Sequence, residues 1–135
     1  MIAILIIAHG SLGENLLQCA AHVLGARPER ASSIDVIGHA NPDALLEEVR
    51  RNVAALDDGS GVLILTDMIG GTPANVATRA LVTGRVEGLA GVSLPMLLRA
   101  LNYRSQALAQ VVVKAEGGGH QGIQHIAAES SHAPS

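Results

Sequence analysis

Two short aliphatic runs constrain the fold of this chain more than any other feature of its sequence. Residues 1–8 are all apolar, and residues 61–66 are apolar at their central positions. Neither run alternates with polar residues, as a strand does when one of its faces is in water. Continuous runs of this length are typical of strands in a parallel sheet that helices cover on both faces. The two runs therefore predict a buried parallel sheet.

The rest of the chain predicts strands and helices in alternation. Strands are predicted at residues 1–8, 33–37, 61–66 and 85–90. After each of them, apolar residues recur at helical spacing, and a proline near three of the four helix starts is typical of a first helical turn. Such alternation implies parallel pairing with right-handed crossovers. We therefore predict an α/β fold with an open, doubly wound, mainly parallel sheet, strand order 2-1-3-4 and helices on both faces.

The C-terminal part is predicted to differ from this pattern. Residues 105–116 continue as helix, and the glycines 117–119 separate them from residues 121–126, a candidate antiparallel edge strand. Small and polar residues follow, which predicts disorder. A chain of 135 residues has the usual size of one domain. We predict one domain over residues 1–127 and a disordered tail over residues 128–135.

Composition and charge argue against several kinds of partner. The chain has one Tyr and no Trp or Phe, so Ala, Val, Leu and Ile must fill the core. The formal net charge is −3 with a single lysine, which predicts no surface for nucleic acid or anionic lipid. The N-terminal apolar run is far shorter than the roughly 20 residues of a membrane span, and no basic residue precedes it. We expect a cytoplasmic protein without stable membrane insertion.

His9 is the strongest candidate for a reactive side chain. It follows the first predicted strand and precedes a glycine, so its imidazole can project into the crevice beyond the carboxyl ends of the strands. A neutral imidazole is a nucleophile. Asp67 ends the third predicted strand, beside the first, and its carboxylate could hold one ring nitrogen while the other attacks phosphorus. The alternatives are a structural histidine and a carboxylate that only caps nearby amides.

The connection after Asp67 predicts a phosphate site. Gly70 and Gly71 permit tight turns with exposed amides, Thr72 is the predicted N-cap, and Pro73 takes the first helical position. The N-terminus of a helix favours an anion, although a Thr-Pro start can also be capping alone. Phosphoryl transfer needs positioning and donors to the phosphoryl oxygens more than a further acid or base. We expect no cofactor, and the remaining histidines lack metal-ligand spacing, so we expect no metal.

Three segments of the chain carry a family resemblance. They are Ala8-His9-Gly10, the segment TDMIGGTPAN at residues 66–75, and the segment AGVSLPML at residues 90–97. Together they resemble the mannose-type (mannose/fructose/sorbose family) IIA component of the bacterial phosphoenolpyruvate-dependent sugar phosphotransferase system, over about residues 1–127 of the chain. The second and third segments are the specific ones, because they do not match a generic loop pattern.

The resemblance implies a phosphocarrier. His9 would accept a phosphoryl group from the general carrier HPr and donate it to a IIB component, Asp67 would orient its ring, and Thr72 would help to hold the phosphoryl group. It also implies a homodimer in which the terminal strand crosses to the partner sheet. No IIB domain follows in this chain, so the acceptor is expected to be a separate protein, in sugar uptake or its regulation. The sugar itself cannot be predicted.

Two departures and three alternatives accompany this interpretation. Thr72 stands where the family often has Ser, which keeps the hydroxyl, and Ser93 stands where Asn is common, which would alter the pocket rim. Residues 5–11 also resemble the start of small cobalt or iron chelatases for tetrapyrroles, where a strand-end histidine binds metal. The phosphotransfer subunit of dihydroxyacetone kinase is similar in fold to the first family. The third alternative is a binding module in which His9 is never phosphorylated and the dimer regulates a partner by contact.

Overall fold

The computed structural model describes residues 1–39 and 41–129. Within them the four strands are β1 (Ala3–Ala8), β2 (Ala31–Asp35), β3 (Val62–Thr66) and β4 (Val86–Ala90). The helices are α1 (Leu12–Leu24), α2 (Pro42–Leu56), α3 (Thr72–Ala80), α4 (Leu94–Tyr103) and α5 (Leu108–Gln121). None of these helices combines the length and the apolarity needed to cross a membrane.

The four strands form one sheet in the order β2-β1-β3-β4, and every pair in it is parallel. This confirms the predicted α/β class and strand order. The register pairs Ala8 with Asp35 and Ile7 with Thr66. The residues that end or follow β1, β2 and β3 therefore meet at the carboxyl edge of the sheet, which is where His9 and Asp67 lie.

The sheet is buried on both faces, as its aliphatic strands predict. Ile4 and Ile6 of β1 pack into a layer with α1, α4 and α5, whereas Leu5 and Ile7 pack into a second layer with α2 and α3. All four side chains are fully buried. Burial of one such side chain contributes about 1.5–3 kcal/mol. The site at the edge of the sheet thus stands on a well-packed support.

The C-terminal prediction is wrong in one respect. The glycines at 117–119 do not separate a helix from a strand, because α5 continues through them to Gln121. A Cβ added at Gly118 would lie 2.7 Å from Cβ of Arg99, and one added at Gly119 would lie 2.9 Å from Cε of Met96. The glycines thus allow α5 to lie close against α4.

Residues 123–129 form no strand in the described chain, and the side chains of Ile123 and Ile126 are largely exposed. The segment pairs with no strand of its own chain, so the predicted edge strand is not formed within one chain. Pairing of this segment with a second chain stays a prediction. The predicted tail lies mostly outside the described residues, from residue 130 onward.

Candidate functional site

His9 and Asp67 meet at the carboxyl edge of the sheet. The backbone amide of His9 donates to Oδ2 of Asp67 at 3.0 Å, and ring atom Nδ1 of His9 lies 2.7 Å from the same oxygen. The side chain of Asp67 is only 13% exposed, whereas that of His9 is 46% exposed. The carboxylate is therefore part of the wall and the imidazole is open to solvent. With Nδ1 occupied, Nε2 is the ring nitrogen left for chemistry.

The pKa of Asp67 lies below its ordinary value. Burial is the largest influence on the carboxyl group and by itself raises the pKa of Asp67. The hydrogen bonds from the amide and ring of His9, the charge of that ring, and the amide of Met68 together outweigh burial and lower it. Asp67 is thus ionised near neutral pH, and a carboxylate at Nδ1 favours the tautomer whose proton is on Nδ1. This leaves the lone pair on Nε2.

The N-terminus of α3 opens beside the imidazole. Gly70 has φ +84°, a conformation that only glycine adopts without strain. A Cβ added at Gly71 would lie 3.8 Å from Cε1 of His9, so the backbone at Gly71 passes close to the ring. Gly71 thus lies beside His9, and the phosphate-binding role of Gly70 and Gly71 stays a prediction.

The helix cap differs from the prediction. Thr72 is the first residue of α3, and the N-cap is Gly71, whose backbone is extended. Glycine has no side chain, so no side-chain hydrogen bond caps the helix. Within the described residues, the amides of Thr72 and Ala74 donate to no protein acceptor. Unsatisfied amides at a helix N-terminus are suited to bind an anion. The capping assignment of Thr72 was wrong, but the site keeps its donors.

Sequence reasoning missed Asp35. Its Oδ1 accepts hydrogen bonds from the amides of Gly10 and Ile37, both at 2.8 Å. The predicted second strand ran to Ile37, and in the structure β2 ends at Asp35 instead. The carboxylate itself explains the earlier end, because a side chain that accepts the amide two residues later forms a local turn.

Exposed apolar side chains surround the site, and the sequence reasoning did not single them out. Ile37, Met68 and Ile69 follow β2 and β3 at the same edge, and Leu12 begins α1; all four are exposed, Ile69 to 83%. A Cβ at Gly10 would lie 3.6 Å from Cδ1 of Ile37, which places that side chain against the loop of His9. We call these four residues the apolar rim.

No group of three or more His, Cys, Asp or Glu side chains in residues 1–39 and 41–129 is arranged to hold a metal ion.

Comparison with known proteins identifies similar phosphotransferase system components. Residues 3–115 match the EIIA-man family, described as PTS system fructose IIA component. The chain is 36% identical over 131 residues to the "PTS system mannose-specific EIIAB component" of Escherichia coli strain K12. That match covers 95% of this chain and 40% of the relative, so the chain spans less than half of its length.

Solved structures give the same result. The phosphotransferase system component EIIA from Streptococcus agalactiae superposes with a TM-score of 0.81 at 28% identity, covering 93% of this chain and 97% of that one. The mannose/sorbose specific IIA subunit from Enterococcus faecalis gives a TM-score of 0.84 at 18% identity, over 96% of this chain and 97% of that one, which speaks for the fold alone. Because the family match covers residues 3–115 of the chain, the protein belongs to the EIIA-man family of phosphotransferase system components.

Proposed function

We propose that His9 accepts a phosphoryl group from the histidine of phospho-HPr and donates it to a separate IIB component, in sugar uptake or its regulation. The observation that carries the proposal is the imidazole of His9, held through Nδ1 at 2.7 Å by Asp67 and open to solvent beside the free amides of α3. Membership of the EIIA-man family supports a phosphocarrier role.

The chemical step needs only groups that this arrangement supplies. The lone pair on Nε2 of His9 attacks phosphorus, the P–N bond to the donor histidine breaks, and its electron pair returns to the donor nitrogen. The proton stays on Nδ1 of His9, and the positive charge that develops on the ring is balanced by Asp67. The phosphoryl oxygens receive hydrogen bonds from amides of Gly71 and Thr72 and from the Thr72 hydroxyl, as phosphoryl transfer requires. Gly70 supplies the turn that exposes these amides.

The apolar rim favours a protein as the donor and as the acceptor. A small metabolite is usually bound in a concave pocket, whereas His9 lies at an open edge among exposed apolar side chains. Exposed apolar residues around a reactive group are typical of a surface that another protein covers. Transient docking of HPr and then of a IIB component would exclude water from the phosphorus during transfer. The protein would work in the cytoplasm, where such carriers are available.

The proposal includes a homodimer. β4 lies at one edge of the sheet. Val82 pairs with Val86 at the start of β4, and the rest of this edge invites pairing with another strand. Residues 123–129 carry two largely exposed isoleucines, Ile123 and Ile126, and have no partner strand in the described chain. Addition of this segment to β4 of a second chain would bury both features.

The test is phosphorylation in a purified system. Incubation with phosphoenolpyruvate, enzyme I and HPr is expected to add one acid-labile, base-stable phosphate per chain, and His9→Ala is expected to abolish it. The matched control is His39→Ala, because the ring of His39 also pairs with a carboxylate, that of Glu48, at 3.3 Å. This substitution should leave labelling unchanged. Labelling that survives His9→Ala would refute the proposal.

The chelatase alternative is tested in parallel. Co²⁺ and sirohydrochlorin are added to the same variants, and metal insertion is followed by the absorbance of the tetrapyrrole. We expect no insertion above the uncatalysed rate. Insertion that requires His9, without phosphorylation by phospho-HPr, would replace the proposed function by the chelatase one.

A further inference from the structure

Asp35 ends β2 at the same edge of the sheet as His9 but does not belong to the phosphate site described above. The strand register sets it beside Ala8, one residue before His9. Its Oδ1 accepts the amide of Gly10 from the β1–α1 connection and the amide of Ile37 from the β2–α2 connection. A single oxygen atom therefore joins the two connections.

The arrangement repeats on the other side of β1. Asp67, which follows β3, accepts the amide of His9 at 3.0 Å, and Asp35 accepts the next amide, that of Gly10, at 2.8 Å. Two consecutive amides are thus held by carboxylates at the ends of the two strands that flank β1. Gly10 has φ +62°, a left-handed conformation in which the direction of the chain changes sharply after His9.

We propose that Asp35 is a positioning residue for His9. By holding Gly10 it fixes the backbone from which the imidazole projects, and so directs Nε2 toward the N-terminus of α3. Asp35 acts through Gly10, since its hydrogen bonds in the described chain are to backbone amides and not to the ring. The inference rests on the proposed phosphorylation of His9.

The key variants separate position from charge. Asp35→Ala removes the acceptor, and Asp35→Asn keeps an acceptor oxygen without the charge. Asp35→Glu keeps the charge but moves the oxygen by one methylene group, and it serves as the second displaced variant if the alanine variant does not fold. The matched control is Asp57→Ala, because Oδ1 of Asp57 likewise accepts two loop amides, those of Gly59 at 2.8 Å and Gly61 at 3.0 Å, before β3 at the opposite edge.

Single-turnover phosphorylation is measured with two donors, phospho-HPr and phosphoramidate. With zwitterionic phosphoramidate, Nε2 attacks phosphorus and ammonia leaves with the electron pair of the broken P–N bond, so no protein docks. A displacement of about 1 Å can slow a reaction about 100-fold. We expect Asp35→Ala and Asp35→Glu to lower the maximal rate by about tenfold or more with both donors, without raising the half-saturating concentration of phospho-HPr.

The other variants are expected to stay near the wild-type rate. Asp35→Asn should remain within roughly threefold, since a neutral acceptor makes a weaker but similar hydrogen bond. Asp57→Ala should be unchanged. Hydrogen exchange at the amide of Gly10 should accelerate in Asp35→Ala and not in Asp57→Ala, which a general loss of stability would not produce.

Each contrary result has a defined meaning. An unchanged rate in Asp35→Ala, or an equal loss in Asp57→Ala, would overturn the positioning role. A loss in Asp35→Asn as large as in Asp35→Ala would show that charge matters instead of position. If the wild type is labelled on His9 by phosphoramidate but not by phospho-HPr, the proposed function fails and the Asp35 comparison still stands. If neither donor labels His9, both fail.

Discussion

Replacement of Asp67 by Asn tests the role of the carboxylate without removing its shape. In the structure Oδ2 of Asp67 holds both the amide of His9 at 3.0 Å and Nδ1 of its ring at 2.7 Å. An asparagine oxygen in the place of Oδ2 can still accept both of these hydrogen bonds. It cannot balance the positive charge that develops on the ring when Nε2 bonds to phosphorus. The fold should persist and the transfer should slow.

The size of the effect follows from the geometry. A hydrogen bond to a charged group contributes about 1.5–3 kcal/mol. The imidazole of His9 is 46% exposed, and water screens the charge, so the lower end applies. Since about 1.4 kcal/mol changes a rate tenfold, we expect transfer to slow by about tenfold. If the Asn amide turns its NH₂ toward Nδ1, the ring proton moves to Nε2, the nucleophile is blocked, and the loss approaches about 100-fold.

The assay is rapid-quench transfer from ³²P-labelled phospho-HPr, with circular dichroism to check the fold. Asp43→Asn is the matched control, because Asp43 is an exposed carboxylate that pairs with Arg79 at 3.0 Å on the surface. That substitution should leave the rate unchanged. A wild-type rate for Asp67→Asn, in a protein with an unaltered spectrum, would show that Asp67 is only a structural carboxylate.

Three further predictions concern packing, pH and assembly. Gly117→Ala should stabilise α5 by about 0.5–1 kcal/mol, because a Cβ there meets nothing within 4 Å; Gly118→Ala should destabilise it by about 1–3 kcal/mol through the contact with Arg99, and equal melting temperatures would contradict this. Ionised Asp67, with its lowered pKa, should stabilise the fold above the ordinary carboxyl pKa of about 3.9 and lose this effect as the pH falls through the lower folded value. The difference in melting temperature between wild type and Asp67→Asn should therefore shrink as the pH falls below about 4, and a difference that grows there would contradict the sign. Light scattering should show a dimer for the full chain and a monomer for a chain cut after Gly122, the C-cap of α5. A full-length monomer at micromolar concentration, or a cut chain that stays dimeric, would refute the strand exchange.

The fold was predictable where burial dictates the residue types. The aliphatic runs in β1 and β3 predict a sheet covered on both faces, and the structure buries them completely. The approach of His9 to Asp67 was also predictable, because each follows a strand and the two strands are neighbours in a doubly wound order. In these places the local pattern and the tertiary structure carry the same information.

The sequence was less informative where a residue's role depends on another part of the chain. The low helix propensity of Gly118 suggests a break in the helix, yet Gly118 lies within α5. A glycine is needed at this position because Arg99 of α4 leaves no room for a larger side chain. Asp35 gave no signal of its own, since its function depends on the register that sets it beside Ala8. Thr72 has the residue type of an N-cap, but the extended backbone of Gly71 takes that position.

The proposed phosphorylation of His9 is tested most directly by identifying the atom that carries phosphorus. The ¹⁵N-labelled protein is phosphorylated by phospho-HPr, and the ¹⁵N and ³¹P resonances of the histidine rings are correlated by NMR. We predict a single phosphohistidine, at Nε2 of His9, with Nδ1 still protonated toward Asp67. Phosphorus at Nδ1 of His9, at another side chain, or absent while the same phospho-HPr labels a known acceptor, would contradict it.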